Sequence, residues 1–467
     1  MSDPIPQSEG WSALLKSPHA SRLATLALAI WLHAANSMLT ATTLPSAVEE
    51  IGGLNLMHWA FALYLAGSIA AGASINLFGA RLGITRTLQA CALIYALGCL
   101  VCALAPSMPI LLGGRVLQGL GGGGLVGMVY VCQAQFFPNH LVPRVVAAMS
   151  LIWMLAAFAG PTIGGLFASF GIWRYAFWAF GFQAGLLIVA VHYLIADENT
   201  SPANTSTGIP VIRLLALSLA ILSMSASGIR FDPVQSPLYL GFGIACLYGF
   251  IIRDLGAADN RMLPMAIRDL AHPVSNGIAA TFFLCLSIMS FVIYGPLLLI
   301  RMYGLSPLEA GLVVMLESLA WGMAALVFSS APAHRERAII RTGSALVTVG
   351  LVAMALALPS GDLMMVIVCS VISSGGMGMM WGFVIRQVVV AAPPPDQDRT
   401  STLLPITQQV GFALGAALSG LFANGFGLNE DMTSAEMQRV AFWLFAGFLP
   451  LGLVGNLFTW RFTHKRY

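Results

Sequence analysis

Charged residues and cysteines are scarce in this sequence. Only 9% of its 467 residues are charged, whereas an average soluble domain carries roughly a quarter charged residues. Hydrophobic residues make up 58% of the chain, and a protein folded in water would have too few polar groups left to cover its surface. The composition excludes soluble globular, disordered, collagen-like and small disulfide-rich proteins, and it indicates an integral membrane protein.

An excess of one charge sign is also missing. The net charge is +3, from 22 basic and 19 acidic residues, which is too small to indicate nucleic-acid binding. The seven cysteines all lie in apolar runs and their number is odd, which argues against a disulfide framework. No combined Cys/His ligand pattern and no nucleotide-binding loop accompany them. We therefore expect that the protein is not an enzyme and binds no metal and no cofactor.

Long apolar runs, in contrast, recur along the whole chain. A membrane helix needs about 20 mostly apolar residues. Such runs occur at 22–45, 57–79, 87–105, 109–132, 142–169, 174–195, 211–229, 237–253, 273–300, 306–330, 339–358, 363–389, 402–425 and 438–460. They predict an all-α protein with 14 transmembrane helices. Because the seventh and eighth runs are the shortest, twelve spans plus an interfacial hairpin is the alternative.

The positions of the basic residues predict the orientation, because cytoplasmic loops are enriched in Lys and Arg. If the N-terminus is cytoplasmic, sixteen basic residues fall on the cytoplasmic side and four on the external side, with Arg115 and Arg386 inside spans. Residues 1–22 lack the pattern of a signal peptide. We expect a multi-pass protein of the plasma (inner) membrane with cytoplasmic tails at 1–21 and 462–467.

The two ends of the chain repeat each other at an offset of 255 positions. Gly121, Gly123 and Gly127 superimpose on Gly376, Gly378 and Gly382, and GLFA recurs at 165–168 and 420–423. Because eight spans separate the copies, both face the same way, as in parallel transporter repeats. We predict a six-helix lobe at 22–196, a linker with two extra helices at 197–272 and a second six-helix lobe at 273–461.

This arrangement resembles the major facilitator superfamily, and within it the 14-helix drug:proton antiporters. Arg115, Gln118 and Gly119 match the R-x-x-Q-G pattern of that family. The element G-P-x-x-G-G of its antiporters is matched by Gly160, Pro161, Gly164 and Gly165. The loop after the second span has Arg81 and Gly83 at family positions, followed by Arg86. The resemblance implies that these residues belong to motifs used in conformational change.

Two acidic residues of the family pattern are absent. Asn36 stands where the first span of the family has Asp, and Ala80 stands where the loop motif has an acidic residue. Asn76 replaces the first glycine of that loop motif. What the resemblance implies about gating at the loop and about protons in the first span therefore does not carry over directly.

Ionisable residues deep in a membrane are costly, and they are candidates for function. Glu317 is the acid that lies deepest inside a span, and a desolvated carboxyl group that exchanges a proton is what a proton carrier needs. His33 is a candidate relay, and Arg115 resembles the buried arginine that couples protonation to conformation in the family. The alternatives without a role in transport are a permanently protonated Glu317, a His33 that only packs against its neighbours, and an Arg115 whose side chain extends to the outer surface.

Further polar and aromatic residues in the spans predict the substrate cavity. These are Asn36, Gln118, Trp31, Trp321, Trp381, Gln408 and Arg386. For Arg386, which stands near the end of its span, anchoring at the interface is the alternative. Glycines at three- and four-residue spacings indicate close helix contacts, static or sliding.

Together these features predict a monomeric secondary transporter that exports small amphipathic compounds or drugs in exchange for protons. Its partners are the lipid bilayer, a small-molecule substrate and protons, and no nucleic acid. The alternatives are an exporter, importer or uniporter for one metabolite, and a membrane receptor or scaffold that transports nothing.

Overall fold

The computed structural model describes residue 14 and residues 19–138, 141–195, 210–229, 231–257 and 261–464. Most of both predicted tails and the polar start of the linker lie outside these residues. The described chain forms helices α1 His19–Ile51, α2 Trp59–Leu82, α3 Ile84–Ala103, α4 Met108–Phe136, α5 Val142–Ser169, α6 Trp173–Leu194, α7 Val211–Ala226, α8 Gln235–Leu255, α9 Pro273–Ser287, α10 Met289–Tyr303, α11 Pro307–Phe328, α12 Glu336–Ser360, α13 Leu363–Ala391, α14 Gln397–Gly425, α15 Ser434–Ala446 and α16 Leu449–His464.

These helices confirm the all-α membrane fold. Within the described residues, 13 helical segments are long and apolar enough to cross a bilayer. Two of the segments are interrupted, since α9 and α10 form one span and α15 and α16 form another. The shorter apolar helix α7 brings the number to the predicted fourteen, because its 16 residues reach across most of the hydrocarbon core.

Local sequence signals set several helix ends. Ser306 and Glu309 form a capping box at the start of α11, and Thr433 and Glu436 form another at the start of α15. Both boxes satisfy main-chain N–H groups that have no partner inside the helix. Gly304 ends α10 in the left-handed region, with a φ of 65°, where a side chain would be strained.

The repeat is visible in the helix bounds. Helices α4 and α13 both contain 29 residues, and their first and last residues are 255 positions apart. Helices α5 and α14 begin 255 positions apart, at Val142 and Gln397. The offset found in the glycines is thus also the offset of these helices.

Helices α1–α6 pack into one group, the N-terminal bundle, and α9–α16 pack into another, the C-terminal bundle. In the first, α4 lies against α2 and α3, and α1 lies against α5. In the second, α13 lies against α11 and α12, and α9 lies against α14 and α16. Helix α5 contacts α11, and α2 contacts α14, so these two pairs join the bundles.

Close contacts between the bundles cluster at the face where α1 ends, which we call the distal face. There a Cβ atom added to Gly165 would lie 2.7 Å from the carbonyl oxygen of Pro307. The main-chain N–H of Leu308 donates to Ser169 Oγ at 2.9 Å. Where α14 meets α2, the main chain of Gly420 lies against the ring of His58, and a Cβ atom added to Gly420 would lie 2.2 Å from the ring atoms. The distal face is therefore closed by main-chain atoms that pack against other main-chain atoms and against the His58 ring.

The inserted hairpin, helices α7 and α8, contacts both bundles at the distal face through α7 and the turn after it. His58 Nε2 lies 3.1 Å from the carbonyl oxygen of Ser225, at the end of α7. Asn424 Nδ2 donates to the carbonyl oxygens of Gly228 and of Asn55, the latter at 2.9 Å. The turn after α7 therefore lies between α2 and α14.

At the opposite, amino-terminal face, the segment after α8 is attached to the C-terminal bundle. Arg261 Nη2 lies 3.2 Å from Asp396 Oδ1, and the N–H of Met265 donates to Asp396 Oδ2 at 3.1 Å. Partial burial raises the pKa of Asp396, but the Met265 hydrogen bond and the cations Arg399 and Arg261 outweigh it and hold this pKa below its ordinary value. A charged Asp396 thus fixes the hairpin to the start of α14.

Candidate functional site

The N-terminal bundle encloses a group of polar side chains, His33, Asn36, Tyr64, Arg115 and Gln118, which we call the N-terminal polar cluster. Arg115 is fully buried. Its Nη1 donates to Asn36 Oδ1 at 2.5 Å and to Gln118 Oε1 at 2.6 Å, and its Nε donates to the carbonyl oxygen of Ala60 at 3.1 Å. Three of the residues predicted from sequence to belong to the site, Arg115, Asn36 and Gln118, are thus joined directly.

Tyr64 connects Arg115 to His33. The guanidinium carbon of Arg115 lies 4.1 Å from the centre of the Tyr64 ring, a cation–π geometry. The Tyr64 hydroxyl lies 2.9 Å from His33 Nδ1 and donates to the His33 carbonyl oxygen at 3.0 Å. His33 in turn stacks on the Tyr64 ring and meets Trp153 edge-on. His33 is therefore a fixed member of the cluster.

The cluster contains a charge without a counter-charge among the described residues. All recorded partners of Arg115 are neutral, and its Nη2 has no hydrogen-bond partner in the described chain. The Nδ2 atom of Asn36 also lacks one there. A buried charge is costly unless polar groups surround it, and here three acceptors and an aromatic ring do so in place of a carboxylate.

Glu317 lies elsewhere, in the C-terminal bundle. It lines a cavity of about 20 Å³ together with residues of α10, α12, α13 and α15. Ser290, Ser370 and Ser373 line the same cavity, and apolar residues such as Phe291 and Met354 complete it. Within the described part of the chain, Glu317 has no recorded hydrogen bond or ion pair. This conformation does not place Glu317 in the cluster of Arg115 and His33.

The remaining predicted cavity residues have separate surroundings. Trp31 Nε1 donates to Gln183 Oε1 at 2.9 Å. Trp321 and Trp381 pack, partly buried, against the core of the C-terminal bundle, and Gln408 is half-buried on α14. The structure does not bring these four residues together with Arg115.

Arg386 forms an ion pair with Glu336, at the start of α12, and its side chain is 56% exposed. Gln387 donates to the same carboxylate at 2.9 Å. These contacts fix Arg386 between α12 and α13 near the amino-terminal face.

The motif glycines lie at close helix contacts. A Cβ added to Gly119 would come within 2.2 Å of the Tyr64 carbonyl oxygen, and one added to Gly160 within 2.8 Å of that of Ala35. Gly164 meets Leu39 and Thr42 of α1 in the same way. These contacts are inside the N-terminal bundle.

Gly165 and Pro161 face the other bundle. The nearest neighbours of Gly165 are Pro307 and Leu308 of α11, and Gly311 of α11 packs on the carbonyl group of Pro161. This carbonyl also accepts from Thr42 Oγ1 at 3.1 Å. The antiporter-like element therefore contacts α1 with one part and α11 with the other.

The loop motif lies at the amino-terminal face. Gly83, with a φ of 80°, is the single residue between α2 and α3. Arg81 and Arg86 on either side of it are exposed. The side chains of Asn76 and Ala80 lie outside the described part of the structure, so the effect of the two departures from the motif stays a prediction.

Several residues of the two sites escaped the sequence interpretation. Tyr64 and the serines of the Glu317 cavity carry no motif. Cys99 and Cys102 do have a signal, a C-x-x-C spacing, yet both are buried free thiols, and Cys99 Sγ accepts from Gln118 Nε2 at 3.1 Å. In the described residues no group of three or more His, Cys, Asp or Glu could hold a metal ion.

Known proteins resemble this chain in sequence over most or all of its length. The sequence profile of the Major Facilitator Superfamily matches residues 26–330 and 277–466. A probable multidrug-efflux transporter of Mycobacterium tuberculosis is 27% identical, over 100% of this chain and 99% of its own length. The riboflavin transporter RibZ of Clostridioides difficile is 23% identical, over 88% of this chain and 91% of its own length.

Solved structures share the fold. The D-xylose-proton symporter superimposes with a TM-score of 0.68 over 96% of this chain and 98% of its own, at 13% identity. PepTSo, a POT family transporter, superimposes with a TM-score of 0.67 over 97% of this chain and 100% of its own, at 14% identity. At such low identity the likeness concerns the fold alone.

Proposed function

Because this chain belongs to the major facilitator superfamily, and is thus a multi-pass membrane transporter and not an enzyme, we propose that it exports small amphipathic compounds in exchange for protons. The observation that carries this proposal is the position of Glu317, a carboxyl group without a recorded partner in a small cavity within the membrane-spanning helices. The M. tuberculosis relative, named as a probable multidrug-efflux transporter, supports export of drug-like compounds.

The proposed cycle uses the two lobes as rocking units. In this proposal the lobes are residues 22–196 and 273–461, and the amino-terminal face is cytoplasmic, as the positions of the basic residues predict. The contacts of Gly165 with Pro307 and of Gly420 with His58 close the distal, external face in this conformation. Opening that face separates α5 from α11 and α2 from α14, and it gives Glu317 access to external protons.

Coupling follows if the proton on Glu317 and the substrate exclude each other. A proton taken up from outside neutralises Glu317, which removes the cost of a desolvated charge. After the lobes rock, substrate entering from the cytoplasm favours the charged carboxylate and releases the proton. Arg115 supplies a fixed positive charge in the opposite lobe, which stabilises the carboxylate when the lobes approach.

We expect the purified protein to release protons when an amphipathic cation binds. The measurement is the absorbance of a pH indicator in weakly buffered detergent solution, with ethidium as the probe. In proteoliposomes, an imposed pH gradient should drive ethidium transport well above the rate in protein-free liposomes. Binding of ethidium without proton release, together with an ethidium transport rate that is the same with and without the pH gradient, would contradict the proposal.

A second candidate function is transport of one defined metabolite without proton coupling. It is favoured by Asn36, which leaves the first span without the acidic residue of the family, and by the similarity to a riboflavin transporter. Counterflow of radioactive riboflavin that is unaffected by a pH gradient would favour it over drug export.

The distal seal yields a prediction of its own. Gly420→Ala places a methyl group against the His58 ring, 2.2 Å from its nearest atoms, and should push the bundles apart at that face. A cysteine introduced by Leu308→Cys, at the other distal contact, should then react severalfold faster with a maleimide. Adding His58→Ala removes the ring and should return the rate toward that of Leu308→Cys alone.

The endogenous cysteines interfere little with this experiment, because six of the seven are buried and Cys246 can be replaced by Ser. His58→Ala without the Gly420 substitution gives the reference for the lost Ser225 contact. An unchanged labelling rate in Gly420→Ala would show that this contact does not hold the distal face closed.

A further inference from the structure

Side-chain oxygen atoms line several sides of the cavity around Glu317. Ser290 is fully buried, and its Oγ has no hydrogen-bond partner in the described chain. Ser370 Oγ donates to the carbonyl oxygen of Ile367 at 2.9 Å, which leaves its own lone pairs available. With Ser373 and the Glu317 carboxylate, four side chains bring oxygen atoms to one small space.

An interrupted helix borders the same space. Helix α9 ends at Ser287, α10 begins at Met289, and Ile288 between them lines the cavity. Such an interruption takes main-chain carbonyl groups out of the regular helical pattern. In membrane transporters, carbonyl groups at broken helices are recurrent ligands of coupling ions.

The volume of the cavity and the side chains that line it indicate which kind of ion fits. Its volume of about 20 Å³ accommodates one particle of the size of a water molecule, which needs roughly 10–15 Å³. A carboxylate and hydroxyl groups are hard oxygen ligands, which suit alkali and alkaline-earth cations. Divalent sites use several carboxylates, and Glu317 is the single acidic residue lining this one among the described residues.

We propose that this cavity binds one monovalent cation of the size of Na⁺, held by Glu317, Ser290, Ser370 and Ser373. The site deepens the proposed function, because Na⁺ and the coupling proton would compete for the same carboxylate. Within the described lining, Glu317 is the only acid or base. The charged residues of α11, of the helices packed against it and of the other lining helices stand toward the helix ends: Arg22, Glu49 and Glu50 on α1, Arg144 on α5, Arg301 on α10, Glu309 on α11, Glu336, Arg337 and Arg341 on α12, Arg386 on α13, and Glu436 and Arg439 on α15. Helix α1 also carries His19 at its start and His33 in its middle, where the Tyr64 hydroxyl lies 2.9 Å from His33 Nδ1.

Binding of radioactive Na⁺ to the purified full-length protein, measured by scintillation proximity, tests the site. In alkaline buffer, in which the Glu317 carboxyl group is ionised, we expect saturable binding that unlabelled Na⁺ displaces better than K⁺. Lowering the pH should weaken the binding, because protons and Na⁺ compete for the Glu317 carboxylate. Glu317→Gln should abolish it, and Ser290→Ala should weaken it about tenfold, the effect of losing one moderate ligand.

Ser419→Ala is the matched control, since Ser419 is a buried serine of the same bundle whose hydroxyl donates to the Gly415 carbonyl oxygen, away from the cavity. It should bind Na⁺ like the unmodified protein. An elution profile and melting temperature equal to those of the unmodified protein show that the variants are folded. Absence of saturable Na⁺ binding, equal displacement by K⁺, or full binding in Glu317→Gln would overturn the site. A protein that transports on a pH gradient yet binds no Na⁺ overturns the site and leaves the proposed function standing.

Discussion

Glu317→Gln should reduce transport driven by a pH gradient to the level of protein-free liposomes. Glutamine has nearly the same size and can still form hydrogen bonds, but it cannot take up and release a proton. In the proposed cycle Glu317 is the group that carries the proton, so the pH gradient can no longer perform work on the substrate. Exchange of labelled for unlabelled substrate without a gradient should persist at saturating substrate concentration, because it requires only that the lobes rock with substrate bound.

Glu309→Gln provides the control for this variant. Glu309 lies on the same helix, eight positions earlier, but it is exposed and serves in the capping box with Ser306. Glutamine can replace glutamate in that box, so Glu309→Gln should transport normally. Gradient-driven transport that survives in Glu317→Gln would mean that the proton is carried elsewhere. Loss of both gradient-driven transport and exchange would mean that Glu317 binds substrate or supports the fold.

The helices could be predicted closely because the bilayer fixes their length and composition. The run at 109–132 became Met108–Phe136, and the run at 142–169 became Val142–Ser169. The interruptions at Ile288 and between Ala446 and Leu449 were not predictable, since the sequence stays apolar across both. Where a helix breaks depends on what packs beside it, which hydropathy does not contain.

The site was only partly predictable, for a similar reason. Arg115 and Glu317 stand out in sequence because charge inside a span is rare. Tyr64 and Ser290 do not, because single hydroxyl-bearing residues are common in membrane helices and carry no motif. Their membership of a site depends on contacts between helices that lie far apart in the chain, such as Tyr64 with His33.

The two sites divide the charges between the bundles. The N-terminal polar cluster contains Arg115 without a carboxylate among its described contacts, and the C-terminal cavity contains Glu317 without a recorded cation. Asn36 explains the first half of this arrangement, since an aspartate there would neutralise Arg115 directly. Because charges in separate bundles interact only through the relative position of the bundles, their attraction depends on the conformation. Such a dependence is what proton coupling requires.

Gly378→Ala should destabilise the protein strongly, while Gly382→Ala, one turn further along α13, should not. A Cβ at Gly378 would lie 2.1 Å from the carbonyl oxygen of Trp321, and the next nearest atoms are also main chain of α11. Main-chain atoms cannot turn aside as a flexible side chain does, so α11 and α13 must separate. Overpacking of this kind costs about 1–3 kcal/mol or more. A Cβ at Gly382 meets no atom within 4 Å, and alanine is intrinsically the better helix former by about 1 kcal/mol.

Thermal unfolding of the two variants in detergent, followed by the fluorescence of a thiol- or core-binding dye, measures this difference. We expect a clearly lower melting temperature for Gly378→Ala and an equal or slightly higher one for Gly382→Ala. Because α11 carries Glu317 and α13 carries Ser370 and Ser373, the separation should also widen the cavity and reduce gradient-driven transport in any Gly378→Ala protein that remains folded. Equal melting temperatures for the two variants would mean that α11 and α13 do not approach as closely as the contact between Gly378 and Trp321 requires.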